Sequence, residues 1–87
     1  MSYEAEGELI HIGEVENKSG TFRSRDFVIK TAGEYPQFVK FQIVQDKVET
    51  LDKFSIGQPV KVWFDLRGRE WQGKYFTNLN AWRVESQ

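Results

Sequence analysis

The sequence contains no cysteine, which excludes a disulfide framework and any zinc or nucleophilic site built on thiolates. It also lacks a long apolar run, since no stretch approaches the roughly 20 residues that a membrane helix requires. The N-terminal segment MSYEAEGELI carries glutamates where a secretory signal carries basic residues. These absences predict a cytoplasmic protein with no membrane partner.

Histidine is almost absent too, because His11 is the only one in 87 residues. It lies in a segment that predicts a strand, and no HxxxH, HExxH or DxD pattern and no glycine-rich phosphate loop accompanies it. Asp26, Asp65 and Glu70 stand close to arginines in the sequence, which is typical of surface ion pairs. We therefore expect no enzymatic activity, no metal site and no cofactor.

A strong charge surplus is missing as well, since the net charge is −1. The charges are nevertheless unevenly distributed: residues 1–16 sum to −5, residues 17–45 to +3, residues 46–58 to −1 and residues 59–84 to +3. The two basic segments could form one basic face if the fold brings them together. Scattered charges that keep a small domain soluble are the simpler explanation of the same numbers.

Alternation of apolar and polar residues predicts five strands. They span residues 8–15, 22–31, 37–44, 60–66 and 75–84. The segment ENKSGT, residues 16–21, is predicted to be a polar loop. Val48, Leu51 and Phe54 recur at every third position, so a short helix is expected over residues 46–54, with its N-cap near Gln45 or Asp46.

The order of these elements predicts the fold class. Five short strands with one helix between the third and the fourth is the element order of an OB-fold, a small Greek-key barrel that binds oligonucleotides or oligosaccharides. We therefore predict an all-β protein: a five-stranded Greek-key OB-fold barrel that forms a single domain over residues 1–87. An SH3-like barrel is the nearest alternative, but it does not normally place a full helix at that point.

Three segments carry a resemblance to known proteins: GELIHIGEV, FRSRDFVI and GQPVKVWFDLRGREWQGKYFTNLNAWRV. The chain resembles a small uncharacterised bacterial OB-fold family, a domain of unknown function, and is distantly similar to bacterial single-stranded DNA-binding proteins. Arg69, Glu70 and Trp71 match an Arg-Glu-Trp segment of the latter. Those proteins continue into a disordered linker and an acidic tail that recruits partners. The present sequence ends at Gln87, so no role that depends on such a tail is expected.

The segment from residue 59 to residue 84 holds the first group of candidate binding residues. Arginines and a lysine surround a tryptophan near the predicted turn, and a flat ring beside a guanidinium suits a nucleobase and its phosphate. This group consists of Arg67, Arg69, Trp71 and Lys74. Trp63 should face outward with Lys61 and Asp65, either as a stacking platform or as part of a subunit interface. Trp82 is expected in the core, and one of Tyr75 and Phe76 should be buried and the other available.

The second and third predicted strands hold the other group. Arg23 and Arg25 share one face of their strand, and Phe38, Lys40 and Gln42 share the face opposite the apolar positions of the next. If both sets point to the concave side of the barrel, they form a basic track with an aromatic floor, as single-strand binding requires. Otherwise Phe38 covers a barrel end and the cations are solvated.

These patterns favour a non-enzymatic module that binds single-stranded nucleic acid, DNA rather than RNA, with little sequence preference. The alternative is a protein-interaction or assembly module that uses the same barrel as a homodimer, with Trp63 buried between subunits. Carbohydrate binding is a third hypothesis, because exposed aromatic rings also stack on sugars.

Overall fold

Six strands and one short helix make up the fold. The computed structural model describes residues 3–20 and 22–87, and residues 18 and 19 by their backbone alone. The strands are β1 (Tyr3–Ile12), β2 (Glu16–Ser19), β3 (Phe22–Lys30), β4 (Phe38–Val44), β5 (Pro59–Trp71) and β6 (Lys74–Ser86), and a 3-10 helix (Gln45–Lys53) lies between β4 and β5. The loop predicted over residues 16–21 is therefore wrong where β2 forms, while Thr21 lies outside the described residues.

The strands form a closed ring. Their hydrogen-bonded order is β1-β5-β6-β4-β3, β1 pairs with β3 to close the ring, and β2 extends the sheet beyond β3. All pairings are antiparallel except that of β4 with β6, which meet in parallel at Gln42 and Asn80. This ring, with the helix between β4 and β5, is the Greek-key barrel of an OB-fold, so the predicted fold class is confirmed.

The hydrophobic core fills the barrel, and strands from both halves of the sequence contribute to it. Phe27 stacks on Phe41 with ring centroids 5.3 Å apart, and Phe41 meets the edge of Phe64 at 4.9 Å. Buried aliphatic side chains from β1, β3, β4, β5 and β6 surround these rings. The apolar positions predicted for β4 point inward as expected, because Phe41 and Ile43 are buried and Val39 packs against them.

The helix closes one end of the barrel. Val48 and Leu51 are buried and Phe54 follows directly after the helix, as their spacing predicted. Side chains three residues apart lie over one another in a 3-10 helix, which explains why this strict spacing suits it. The predicted N-cap is wrong: the helix begins at Gln45, which has a positive φ of 59°, and Val44 precedes it without a side-chain cap.

Among the described residues, no helix has the length and apolar character that crossing a membrane would need.

Strand β1 changes partner at a glycine. Its first half pairs with β5 and its second half with β3, and Glu8 takes part in both ladders. A side chain at Gly7 would bring its Cβ to 2.6 Å from the backbone oxygen of Lys30, so the two strands can approach only because position 7 has none. The β-bulge of β1 lies further along the strand, between Leu9 and His11.

Strands β5 and β6 continue well beyond the barrel as a two-stranded ribbon. The strands were predicted to end at Leu66 and resume at Tyr75, but the ladder extends to the pair Trp71–Lys74. Only Gln72 and Gly73 form the turn, and their φ values of 50° and 78° are those of a type I′ hairpin. We call residues 66–78 the arm. Tyr75 and Phe76 are both exposed there, so the expectation that one of them is buried is wrong.

Candidate nucleic-acid interface

One face of the arm collects four of the predicted binding residues. Side chains alternate along β5, so positions 67, 69 and 71 point to the side away from the core positions 60 and 62. Cross-strand pairs add the residues of β6 that lie opposite: Arg67 with Asn78, Arg69 with Phe76, and Trp71 with Lys74. We call this surface the arm face; it consists of Arg67, Arg69, Trp71, Lys74, Phe76 and Asn78.

The cations of the arm face are not neutralised by the protein. Within residues 3–20 and 22–87, none of Arg67, Arg69 and Lys74 forms an ion pair or a side-chain hydrogen bond. The Arg69 guanidinium lies over the Phe76 ring, with 5.8 Å between its carbon and the ring centroid. Trp71 is 62% exposed. The acidic residue of the arm, Glu70, pairs with Tyr75 and so points to the opposite face.

A second surface lies on the outer side of β4. Phe38 and Lys40 point outward as predicted, and Phe38 is 69% exposed. Lys30 pairs with Phe38 across the ladder to β3, and its Nζ atom lies 6.0 Å from the ring centroid. We call the outward residues Lys30, Phe38, Lys40 and Gln42 the β4 face. Lys30 is an addition to the predicted set; its place at the end of an alternating strand gave a signal that could have identified it.

The arm face and the β4 face meet at β6. One cavity is lined by Lys40 and Gln42 of the β4 face and by Thr77 and Asn78 of β6. A shallow groove on the arm is lined by Arg67, Arg69, Phe76 and, again, Asn78. The two predicted groups of residues are therefore connected along the surface through Asn78, which was not among the predicted site residues.

Arg23 and Arg25 do not join this surface. In the ladder between β3 and β4, Arg25 is opposite the buried Ile43, whereas Lys40 is opposite Val28 on the other side of the sheet. The condition that both sets point to the same side is thus not met. Strand alternation carried a signal for this, because positions 23 and 25 share their face of β3 with Phe27 and Ile29, which are buried.

The two arginines instead bind the helix and its surroundings. Arg25 donates hydrogen bonds to the backbone oxygens of Gly13, at 2.8 Å, and Val48, at 3.0 Å, and it pairs with Asp52 at 2.9 Å. Arg23 donates to Glu49 at 3.4 Å and to the backbone oxygen of Gln45 at 3.4 Å, and it lies 3.9 Å from Asp46. Acidic residues of the helix therefore offset both charges.

Trp63 faces outward on the sheet formed by β1, β5 and β6. Its ring lies close to two cations of its own molecule, at 5.2 Å from the Lys61 Nζ and 4.9 Å from the Arg83 guanidinium carbon. Glu4 is directly opposite Trp63 in β1, and it accepts a hydrogen bond from Lys61 at 2.7 Å, which raises the pKa of that amine. Trp63 thus stands in a charged, half-buried setting that differs from that of the exposed Trp71.

Two further residues considered from the sequence are His11 and Trp82. His11 is exposed on β1, and the described part of the chain holds no group of three or more potential metal ligands. Trp82 is half-buried at the bulge of β6 rather than in the core, and its backbone oxygen accepts a 2.8 Å hydrogen bond from Lys47.

Comparison with known proteins places the chain in a family. A family model described as a domain of unknown function, DUF3127, matches residues 4–85. The chain belongs to this family. The resemblance inferred from the three sequence segments is thereby confirmed, and no curated protein sequence matches the chain.

Several solved structures are similar over the full length of the chain. The mitochondrial single-stranded DNA-binding protein Rim1 of S. cerevisiae aligns with a TM-score of 0.82 at 10% identity, covering 99% of this chain and 94% of that one. The dimeric N-terminal domain of PriB from Thermoanaerobacter tencongensis gives 0.74 at 14% identity, covering 99% and 94%. The single-stranded DNA-binding protein of Thermus aquaticus gives 0.79 at 16% identity, covering 99% of this chain and 49% of that one. At these identities the likeness establishes the OB-fold.

Proposed function

We propose that this domain binds single-stranded nucleic acid, DNA rather than RNA, with little sequence preference and without catalysing a reaction. The observation that carries the proposal is the arm face: three cations that form no ion pair or side-chain hydrogen bond in the described residues alternate with the exposed rings of Trp71 and Phe76. Cations along a groove that follows the backbone, with rings on which bases stack, are the two elements that single-strand binding requires.

Each residue type has a distinct part in this mechanism. Arg67, Arg69 and Lys74 attract phosphates, while Trp71 offers a platform for a base. The strand then continues past Asn78 to Lys40 and Phe38, where a cation and a ring occur together again. Contacts to phosphates and to the faces of bases are the same for every sequence, so they favour binding with little sequence preference. Arg23 and Arg25 have no role in the proposal, since their guanidinium groups already bond to oxygens of the protein.

The preference for DNA rests on the fold. Solved structures described as single-stranded DNA-binding proteins share this barrel over nearly the whole chain. A competition between labelled oligo-dT and unlabelled oligo-rU tests the preference, and tighter binding of oligo-rU would contradict it.

Fluorescence anisotropy tests the proposal directly. A labelled oligo-dT of about 15 nucleotides, long enough for one OB-fold, is titrated with the protein. We expect micromolar or tighter binding at about 20 mM salt and clearly weaker binding at about 200 mM, because cations condensed on the phosphates are released when protein charges replace them. No binding at the lower salt concentration would rule out the proposal.

A second candidate function is assembly through the sheet that carries Trp63. A large ring on an outward sheet face, with ion pairs beside it, is also what a subunit interface needs, and the similar PriB domain is described as dimeric. Light scattering on the protein and on a Trp63→Glu variant distinguishes the two functions. If the substitution dissociates an oligomer and leaves oligo-dT binding unchanged, Trp63 belongs to an interface; if it weakens binding of a monomer, Trp63 belongs to the nucleic-acid surface.

A further inference from the structure

The cavity between β3, β4 and β6 has a different chemistry from the two faces that it connects. It measures about 430 Å³, within the range of small-molecule pockets, and Phe41 and Leu79 contribute apolar surface to its lining. Its polar lining consists of Asp26, Lys40, Gln42, Thr77 and Asn78. Unlike the arm face, it combines a carboxylate, an amine and two amides, which are groups that recognise the edges of bases rather than their faces.

The polar groups of this cavity are not used within the protein. Asp26 is opposite Gln42 in the ladder between β3 and β4, and Lys40 lies two pairs further along, on the same side of the sheet. Although Asp26 and Lys40 carry opposite charges and line one cavity, they form no ion pair with each other. None of Asp26, Lys40, Gln42 and Asn78 has a side-chain hydrogen bond elsewhere in the described part of the chain.

We propose that this cavity accepts one guanine base of the bound strand. A carboxylate is an acceptor with two oxygens, and guanine is the base that places two N–H donors, N1–H and the 2-amino group, side by side. In this arrangement Asp26 accepts from both donors and Lys40 donates to O6 of the same base. Adenine and cytosine each offer a carboxylate one amino group, and thymine places its single N–H between two carbonyls. These bases therefore form fewer hydrogen bonds with Asp26 and Lys40.

This inference rests on the proposed function and refines it. The arm face and the β4 face hold the strand without regard to sequence, while the cavity between them prefers guanine at one position. A preference of this kind changes affinity only for strands that contain at least one guanine, so binding of oligo-dT does not depend on it.

The test compares oligo-dT of about 15 nucleotides with strands that carry one dG, dA, dC or deoxyinosine at the middle position. We expect the dG strand to bind about tenfold more tightly than oligo-dT, as a bidentate contact to a base edge gives. Deoxyinosine keeps O6 and N1–H but lacks the 2-amino group, so it should retain only about a threefold advantage. Equal affinity for all strands, or a greater advantage for dA or dC, would overturn the inference.

Asp26→Asn and Asp65→Asn form a matched pair of variants. Both remove one negative charge from an outward carboxylate of the barrel, but Asp65 does not line the cavity. Asp26→Asn should abolish the advantage of dG and leave oligo-dT binding in place, whereas Asp65→Asn should keep the advantage. An advantage that survives Asp26→Asn contradicts the inference alone, and failure of every strand to bind contradicts the proposed function together with it.

Discussion

Arg25 and Arg69 occur in basic segments of equal charge, yet they occupy opposite situations. Arg25 is enclosed, with a side chain only 15% exposed, and it bonds to two backbone oxygens and to Asp52. Arg69 stands on an exposed ribbon beside the Phe76 ring and has no carboxylate partner in the described residues. The first arginine is held by oxygens of the protein, whereas the second has no such partner among the described residues.

The difference arises from what lies against each strand face. The helix covers the side of β3 that carries the arginines, and its acidic residues Asp46, Glu49 and Asp52 meet them there. The arm extends beyond the core, so no element of the described chain packs on its cationic face. The sum of charges over a segment therefore does not show whether an arginine is paired within the protein; the position of the nearest carboxylates does.

Removing the three arm cations should have the largest effect. For Arg67→Gln combined with Arg69→Gln and Lys74→Gln, we expect affinity for oligo-dT to fall about 100-fold at low salt. The slope of log K against log salt should become shallower by roughly 2, since three phosphate contacts are lost. Because these side chains are exposed and form no ion pair among the described residues, the free energy of unfolding should change by less than about 0.5 kcal/mol.

The control for this experiment removes the same charge elsewhere. Lys47→Gln, Lys53→Gln and Arg83→Gln together give the same net charge but lie outside the arm face and the β4 face. A variant with these three changes should keep its salt dependence. If it loses as much affinity as the arm variant, overall charge rather than the arm face governs binding.

Arg25→Ala should affect stability rather than binding. The substitution leaves two backbone oxygens without their donor, so we expect the free energy of unfolding to fall by about 2 kcal/mol. Urea denaturation measures this fall, and anisotropy at a temperature where the variant is folded should give an affinity for oligo-dT close to that of the unmodified protein. A loss of affinity in the folded variant would place Arg25 on the binding surface and remove the contrast with Arg69.

Most of the fold could be predicted because its signals are local. The alternation in β4 and the three-residue spacing of Val48, Leu51 and Phe54 arise because these apolar side chains face the core. Both predictions agree with the structure. The full length of the arm could not be predicted in this way. Beyond Leu66 the strands are exposed on both faces, so burial no longer imposes a pattern on the sequence.

The candidate site could be predicted only in part, because some of the predicted residues have partners from distant parts of the sequence. Arg67, Arg69, Trp71 and Lys74 lie within one hairpin, and their shared face follows from strand alternation once the turn is known. Arg23 and Arg25 share their face of β3 with the buried Phe27 and Ile29, so alternation places them on the side opposite Lys40. The sequence pattern does not reveal their partners, because the carboxylates that bind them belong to a helix more than 20 residues away in sequence.

Trp71 and Tyr75 offer a sharper comparison within the arm itself. Both rings are exposed, at 62% and 78%, but cross-strand pairing places them on opposite faces. Trp71→Ala should weaken oligo-dT binding about tenfold through the loss of one stacked base, and Tyr75→Ala should leave it nearly unchanged. Anisotropy on the two variants decides this, and a larger loss for Tyr75→Ala would move the binding surface to the other face of the arm.

Arg23→Ala should have the smallest effect and tests how far the contrast between the two basic segments extends. Arg23 is half-buried and its partners Asp46 and Glu49 are exposed, at distances of 3.9 and 3.4 Å, so these ion pairs are weaker than that of Arg25. We expect the free energy of unfolding to fall by about 0.5 kcal/mol, as for other surface pairs, with little change in affinity for oligo-dT. Loss of affinity without loss of stability would mean that a phosphate displaces the helix carboxylates from Arg23, which would extend the binding surface around the barrel to β3.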